Sequence, residues 1–451
     1  MKKTAYILLL ALGLASCNYL EIEPVGKVIP HKTSEFRALL TEGYFRFPYF
    51  DSKTYTGLLS DEAGYFYEGT IWEASVGMAL SYNYRWDYGR QMKEYPYRDY
   101  YRAIFQAQAV IDDILDADKD SEESNEQIMA EAYALRAYSY FDLVNLYGAP
   151  YNPETAATDR TVPLAPEIDI EQKYRPSNVA AVYGQILDDI TASERLMEVE
   201  KQETNYNYRF SKHALTAFKA RVKLYMRDWQ EAYDLSASLL PEYELVDLNN
   251  PPKADSLPWK APSKEMIMAW ERPFSGAAGD LRNAGFLSEH LLALFDEAND
   301  NRRAYLKKVT DYNTSTVGYV PDRSSSDRVS IRIAEMYLIA AEAGSYLPAE
   351  LENAKMYLLT LKANRLKPEA MDAERTKVEA MNAEQLRAEI ADERARELVG
   401  EGHRWMDLRR TTRPAIVHKY GDQTVSLVEN DSRYTLPFPQ SAIDSNPELN
   451  N

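Results

Sequence analysis

Residues 211–240, SKHALTAFKARVKLYMRDWQEAYDLSASLL, give the clearest indication of the fold, because they encode two helices joined by a short turn. Apolar residues recur at three- and four-residue steps on both sides of Asp228, so each segment has one apolar stripe. Ala220 and Ala232 are small residues where the two helices would pack closely. The spacing predicts a helical hairpin made of Ser211–Arg227 and Trp229–Leu240.

A later part of the chain repeats this plan. Ile331–Ser345 is followed by Glu350–Leu366, and Ala341 and Ala354 occupy the places of the two earlier alanines. Helix pairs with small residues at the crossing resemble tetratricopeptide units, which stack side by side into a superhelix. The full repeat consensus is absent and the two copies are not adjacent in sequence, so we expect hairpins of this type embedded in a larger domain.

Further helices are predicted before the first hairpin. Helical spacing of apolar residues favours Asp99–Asp116 and Glu126–Tyr147, and the second helix is followed by Gly148 and Pro150, which is typical of a helix end. Ser177 is expected to cap a third helix that continues to residue 196.

The middle of the chain is irregular by comparison. Tyr243–Ser275 is rich in proline and contains one strand-like run, Met266–Trp270, while Asp311–Asp327 is polar and rich in turn residues. The expected fold is therefore mainly α, with tetratricopeptide-like hairpins in a superhelical scaffold. A single domain is predicted over residues 31–451, with hairpins at about 99–240 and 330–411 and a loop-rich insert at about 241–329.

The N-terminus has the pattern of a lipoprotein signal. Lys2 and Lys3 precede the apolar run Ile7–Leu14, which is too short to span a bilayer as a helix. The run is followed by Ala15-Ser16-Cys17, which matches a lipobox, and Cys17 is the only cysteine. We expect a signal peptide over residues 1–16, lipidation of Cys17 and a tether over residues 17–30.

Composition and motifs argue against several classes of function. The formal net charge of −18 disfavours nucleic acid, whose binding depends on Lys and Arg. The five histidines include no close pair at metal-ligand spacing, and no nucleophile elbow, phosphate loop or dinucleotide fingerprint occurs. The 70 acidic residues leave open a glycoside hydrolase with two opposed carboxylates. We nevertheless expect a protein that is not an enzyme and that needs no cofactor or metal.

Four stretches along the chain form one recognisable pattern. They are AEAYALRAY (130–138) with FDL (141–143) and YGAP (147–150), IRIAEMYLIAAEA (331–343), ERAREL (393–398) with GEGHRWMDLRR (400–410), and YTLPFP (434–439) with NPEL (446–449). In this order behind a lipobox, they resemble the SusD/RagB family of outer-membrane nutrient-binding lipoproteins of the Bacteroidetes type. Gln108 departs from the Asn that this family often has, at a position that we expect to be structural.

The resemblance implies a fold, a location and a partner. The fold would carry tetratricopeptide-like helix pairs on one side and a less regular, ligand-facing half on the other. The chain would be lipid-anchored in the cell outer membrane and face the cell exterior. Its partner would be a SusC-like, TonB-dependent outer-membrane transporter, over which it would sit as a lid. Members of the family commonly bind oligosaccharides, and some bind peptides or other cargo.

The charged residues of the third stretch could form either a ligand site or a structural network. Their spacing places them on neighbouring faces of two consecutive helices, with Gly400 and Gly402 supplying the turn. Forks between arginine and carboxylate are favoured in partly buried ion pairs, so we expect a structural network. Its members are Arg394, Glu397, Arg404, Trp405, Asp407 and Arg409.

The aromatic-rich segment from Tyr65 to Tyr101 is the better candidate for ligand binding. Sugar rings stack through their apolar C–H faces on aromatic planes, and their hydroxyl groups need polar partners at the edges. Alternating aromatic residues would all lie on one side of an extended chain, although the same face could instead pack against the helices. The candidates are Trp72, Tyr82, Asn83, Tyr84, Arg85, Trp86, Asp87 and Tyr88, with a second group of Trp270, Arg272 and Phe274 near Trp259 and Phe286.

The function that we expect is capture of an oligosaccharide nutrient at the cell surface and its delivery to the transporter, without catalysis. A peptide-capturing member of the same family is one alternative. A docking or scaffold subunit of the transporter complex, without a ligand of its own, is the other. Exposed rings on one face at Tyr82–Tyr88 would favour capture, whereas buried rings would favour the scaffold role.

Overall fold

Helices dominate the computed structural model, as the sequence predicts. The structure describes residues 30–47, 56–65, 76–89, 92–165, 167, 173–273, 285–310, 315, 317–324 and 326–450. Its α-helices are α1 Thr33–Arg46, α2 Val76–Tyr84, α3 Arg98–Asp113, α4 Asn125–Tyr147, α5 Val179–Leu196, α6 Lys212–Met226, α7 Trp229–Leu239, α8 Glu289–Leu294, α9 Ile333–Gly344, α10 Leu351–Ala363, α11 Met371–Glu379, α12 Ala383–Glu397, α13 Arg404–Arg410 and α14 Gln440–Ser445. Within these described ranges, no helix is both long enough and apolar enough to cross a bilayer.

The two predicted hairpins are present as α6–α7 and α9–α10, which confirms the mainly α, tetratricopeptide-like fold class. Helix α7 packs directly on α9, so the two hairpins are neighbours in space although they are separated in sequence. A side chain at Gly344 would place its Cβ atom 3.1 Å from the Tyr233 ring and 3.2 Å from Ala354. The small residue therefore permits the close approach of α7, α9 and α10.

Helix α4 is the centre of the main core, because most of its residues are buried between α3 and α5. It begins where the Ser124 hydroxyl accepts a hydrogen bond from the Gln127 amide. The predicted cap of the next helix was wrong by one residue, since Asn178 caps α5. Ser177 instead pairs through its backbone with Thr161 and Val162.

Short antiparallel strand pairs connect the helices. The strands are β1 Ala63–Tyr65, β2 Met266–Met268, β3 Gly285–Leu287, β4 Leu306–Thr310, β5 Val317–Pro321, β6 Ile331–Arg332, β7 Ile416–Tyr420 and β8 Gln423–Leu427, and they pair as β1–β3, β2–β6, β4–β5 and β7–β8. The prediction of a turn-rich loop over Asp311–Asp327 was wrong in part, because β5 lies within it and pairs with β4.

Candidate functional site

The predicted aromatic segment is helical where an extended chain was expected. Helix α2 ends at Tyr84, and the following turn includes Trp86 with a positive φ of 53°. The amide of Trp86 bonds to the Asn83 carbonyl, and that of Asp87 bonds to the Tyr82 carbonyl. The prediction of four rings on one side of a strand was therefore wrong, since a helical turn directs neighbouring side chains to different sides.

Tyr84 and Trp86 are buried on the two sides of an interior histidine. The His418 ring stacks on the Tyr84 ring at 4.1 Å and on the Trp86 ring at 4.1 Å. The Trp86 indole donates a hydrogen bond of 3.0 Å to the Leu59 carbonyl, and the His418 ring nitrogens lie 2.7 and 2.8 Å from the Tyr84 and Ser60 carbonyls. Burial lowers the pKa of His418. The stack is a packing unit, and it offers no free ring face to a ligand.

Two further candidates also have structural positions. Asn83 is fully buried, and its side-chain amide donates to the Lys93 carbonyl and accepts from the Lys93 amide, both at 2.9 Å. Trp270 is buried against Phe47 with ring centroids 4.1 Å apart, and its indole donates to the Tyr44 carbonyl. The assignment of Asn83, Tyr84, Trp86 and Trp270 as ligand contacts is corrected accordingly, because a surface ligand cannot reach buried side chains.

The other described candidates are at least partly exposed. The Arg85 guanidinium lies between two rings, 4.6 Å from the Tyr82 centroid and 5.0 Å from the Tyr420 centroid. Asp87 is exposed, Tyr88 and Arg272 are half-buried, and the Tyr88 hydroxyl donates to the Arg433 carbonyl. Trp72, Phe274 and the predicted lipidation site Cys17 lie outside the described residues.

Strands β1 and β3 bring an early and a middle part of the chain together. Ala63 pairs with Leu287 and Tyr65 with Gly285, so the end of β1 lies beside the beginning of β3. The Phe286 ring fills the space over two glycines, because a Cβ atom at Gly64 or Gly318 would lie 2.5 or 2.7 Å from it. The early and middle regions of the chain therefore meet at one place.

We call this place the β1–β3 edge and define it by Tyr65, Tyr82, Arg85, Phe286 and Tyr420. The centroid of the Tyr65 ring lies 5.9 Å from that of Tyr420, and the Arg85 guanidinium lies over the Tyr420 ring. Tyr420 therefore connects Tyr65 to Arg85. Tyr82, Arg85 and Phe286 are half-buried and can be reached by a ligand, whereas Tyr65 and Tyr420 are buried and support them from below. An aromatic surface with a fixed guanidinium can stack on a sugar ring and donate hydrogen bonds to its hydroxyl groups.

The β7–β8 hairpin, which supplies Tyr420 and His418, was not predicted from the sequence. A signal for it was present. Ile416–Tyr420 and Gln423–Leu427 are separated by Gly421-Asp422, a two-residue turn in which Gly421 has a φ of 59°. The side chains of β7 alternate between buried and exposed, as expected for a strand with one face in the core.

The charged residues of the third stretch form a buried network. Arg394 pairs with Asp407 at 2.9 Å, and Arg404 makes two hydrogen bonds of 2.7 Å to Asp61. Burial alone would raise the pKa of Glu397, but Arg365, Arg332 and Arg302 hold it well below its usual range. Trp405 stacks on Tyr434 at 4.8 Å, and Arg409 donates to the carbonyls of Asn145, Gly148 and Tyr434. This geometry ties α12 and α13 to the rest of the fold.

A buried glutamate connects this network to the β1–β3 edge. The Glu62 carboxylate accepts a hydrogen bond of 2.8 Å from the Gly400 amide, in the turn between α12 and α13. Burial raises the pKa of Glu62 to about 7, although Gly400 and Arg404 oppose the increase. In the described part of the chain, no three His, Cys, Asp or Glu side chains are grouped so that they could hold a metal ion.

Two family models match this chain. One, described as "Starch-binding associating with outer membrane", matches residues 18–224, and the other, described as "SusD family", matches residues 292–451. Two similar proteins from Formosa agariphila are SusD-like protein P38 and SusD-like protein P25. The first is 30% identical over 32% of this chain and 25% of its own length, so the match spans about a quarter of that relative. The second is 26% identical over 70% of this chain and 69% of its own length.

Solved structures share the fold at lower identity. A SusD superfamily protein from Bacteroides thetaiotaomicron superposes with a TM-score of 0.75 at 23% identity, covering 93% of this chain and 99% of that one. A SusD-like carbohydrate binding protein from Bacteroides vulgatus superposes with a TM-score of 0.67 at 19% identity, covering 93% and 97%. These likenesses establish the architecture of the chain.

Proposed function

Because this chain belongs to the SusD/RagB family, we propose that it captures an oligosaccharide at the cell surface and delivers it to a TonB-dependent outer-membrane transporter. The family is described as starch-binding and associated with the outer membrane. We propose that the chain acts by binding alone, without catalysis. Cys17 would carry the lipid anchor, and the partner would be a SusC-like transporter, as the sequence resemblance implies.

The pairing of β1 with β3 is the observation that supports this function best. It brings Tyr65 and Phe286, from an early and a middle part of the chain, to one edge together with the half-buried Tyr82 and Arg85. An aromatic ring and a guanidinium held against it match the apolar face and the hydroxyl edge of a pyranose. Arg85 is held in place by two rings and by its bond to the Ser81 carbonyl, so little side-chain freedom would be lost on binding.

The burial of Tyr84 and Trp86 favours a second candidate function. Buried rings are what a docking or scaffold subunit without its own ligand would have at these positions. In that case the helical hairpins would hold the chain on the transporter, and another lipoprotein would bind the cargo. The two functions differ in whether the isolated chain binds any nutrient.

Calorimetric titration of the chain starting at Asn18 distinguishes oligosaccharide capture from the docking role. The titrants are neutral oligosaccharides of the starch, β-glucan, xylan and mannan types, together with mixed peptides. Tyr82→Ala removes one ring from Arg85 and is expected to weaken saccharide binding at least about fivefold, since a stacking contact contributes about 1 kcal/mol. Tyr206→Ala is the matched control, because Tyr206 is exposed and Arg209 lies 4.7 Å over its ring.

The outcomes are distinct. Saturable heat with one glycan class, weakened by Tyr82→Ala and unchanged by Tyr206→Ala, supports the proposal and places the ligand at the β1–β3 edge. Binding of peptides alone would change the ligand class. If neither the oligosaccharides nor the peptides give a heat of binding, the result would contradict capture by this chain and favour the docking role.

A further inference from the structure

A long cleft lies between the chain leading into α3 and the C-terminal segment. It consists of two adjoining hollows of about 770 and 610 Å³, which share Met92, Glu94, Tyr95 and Pro439 in their walls. Each hollow has the size of a small-molecule site. Nothing in the β1–β3 edge lines either hollow, so the cleft is a separate feature of the described surface.

Aromatic rings in fixed positions form much of the cleft. The Tyr97 ring lies 4.9 Å from Tyr101, 5.3 Å from Tyr147 and 6.0 Å from Phe438. The hydroxyls of Tyr101 and Tyr147 donate to the Pro163 and Tyr95 carbonyls. Because these hydroxyls are engaged, the rings cannot reorient freely, and the half-buried Tyr97, Tyr101 and Phe438 present a preformed apolar surface.

The rim of the cleft is polar and nearly neutral. Lys93 and Arg98 are opposed by Glu94, Asp99 and Asp444, all of which line the hollows. The Glu94 carboxylate accepts a hydrogen bond of 2.8 Å from the Ser441 hydroxyl, which ties the C-terminal segment to the opposite wall. The rim has one carboxylate more than it has cations, which disfavours an anionic ligand, while its charged and amide groups can all bond to hydroxyl groups. Apolar faces edged by hydroxyls are the chemistry of a neutral saccharide.

We propose that this cleft is a second saccharide-binding site, which takes a neutral oligosaccharide independently of the β1–β3 edge. This site rests on the proposed function, because the cleft would bind the same class of ligand, either a second oligosaccharide or another part of a long one. A chain with two sites can hold two short saccharides, or hold a long polymer at two points and release it more slowly.

The test is the stoichiometry of a neutral trisaccharide, with maltotriose used first and the trisaccharides of the other glycan types after it. Ser445→Trp places an indole in the larger hollow from an exposed position, and Ala442→Trp does so from the same helix. Ser238→Trp is the matched control, because Ser238 is an exposed helical serine outside the cleft. Thermal unfolding of each variant checks that the fold is retained.

The expected result is two trisaccharides per chain, reduced to one by either cleft variant and unchanged by Ser238→Trp. Tyr82→Ala should weaken the other site and leave the cleft occupied. One bound trisaccharide that both cleft variants leave unchanged would overturn the second site and keep the proposed function. One trisaccharide lost only in the cleft variants would support the cleft and overturn the β1–β3 edge. If no saccharide binds the wild-type chain, the proposed function and the second site both fail.

Discussion

Replacing Glu62 with glutamine is expected to stabilise the protein at neutral and alkaline pH. The carboxyl group is fully buried, and burial raises its pKa to about 7 against the opposing effects of the Gly400 amide and Arg404. Above that pH the folded protein must keep a charge in its interior, which costs free energy that the unfolded chain avoids. A glutamine side chain is neutral at every pH, and its oxygen can still accept the hydrogen bond from Gly400.

The size and direction of the effect follow from the two pKa values. The ordinary value is 4.5, so the folded protein holds the proton more tightly than the unfolded chain between pH 4.5 and about 7. The contribution of Glu62 to stability is therefore greatest below pH 4.5 and falls as the pH rises through about 7. At about 1.4 kcal/mol per pKa unit, the loss amounts to about 3 kcal/mol.

Urea unfolding of wild type and Glu62→Gln at pH 5, 6, 7 and 8 measures this effect. The free energy of unfolding of the variant, minus that of the wild type, should increase by about 2–3 kcal/mol from pH 5 to pH 8. Glu429→Gln, at an exposed position, should show no such trend. A difference that stays constant with pH, or that decreases, would refute the argument that a charge is buried at Glu62.

Two other substitutions test packing roles. Arg409→Ala should lower the free energy of unfolding by about 3 kcal/mol or more, because three buried carbonyls lose a hydrogen-bond donor. Arg409→Lys should restore only part of that free energy. A loss below about 1 kcal/mol for Arg409→Ala in urea unfolding would contradict this role of Arg409. Trp86→Ala should lower the free energy of unfolding by about 3–5 kcal/mol, because it removes a ring from the His418 stack. The variant that remains folded should bind saccharide as tightly as the wild type. A weaker affinity with unchanged stability would instead show that Trp86 contacts the ligand.

Much of the fold could be predicted from the sequence because the information is local. The hairpin predicted at Ser211–Leu240 is observed as Lys212–Met226 and Trp229–Leu239, since apolar spacing and the Ser211 cap act within one or two turns. The error at Ser177 has a cause that is not local. Ser177 and Asn178 are both good capping residues, and the backbone pairing of Ser177 with Val162, which decides between them, involves a distant part of the chain.

The site was harder to predict because its geometry depends on distant residues. Tyr84 and Trp86 are polar-edged aromatic residues that suit a sugar site or a core equally well. Their burial is determined by His418, which arrives from the β7–β8 hairpin more than 300 residues later. No local pattern around Tyr82–Tyr88 contains that information. The meeting of the early and middle regions through β1 and β3 is non-local in the same way.

The β1–β3 pairing also has a consequence for the order of folding. It joins residues about 220 positions apart, and closing such a loop costs roughly 5 kcal/mol of chain entropy, compared with about 2 kcal/mol for a ten-residue loop. The helical hairpins, whose contacts are local, can therefore assemble before this pair closes. Because this pair has only three paired positions, we expect it to open in the native state at a lower free energy than the helical hairpins.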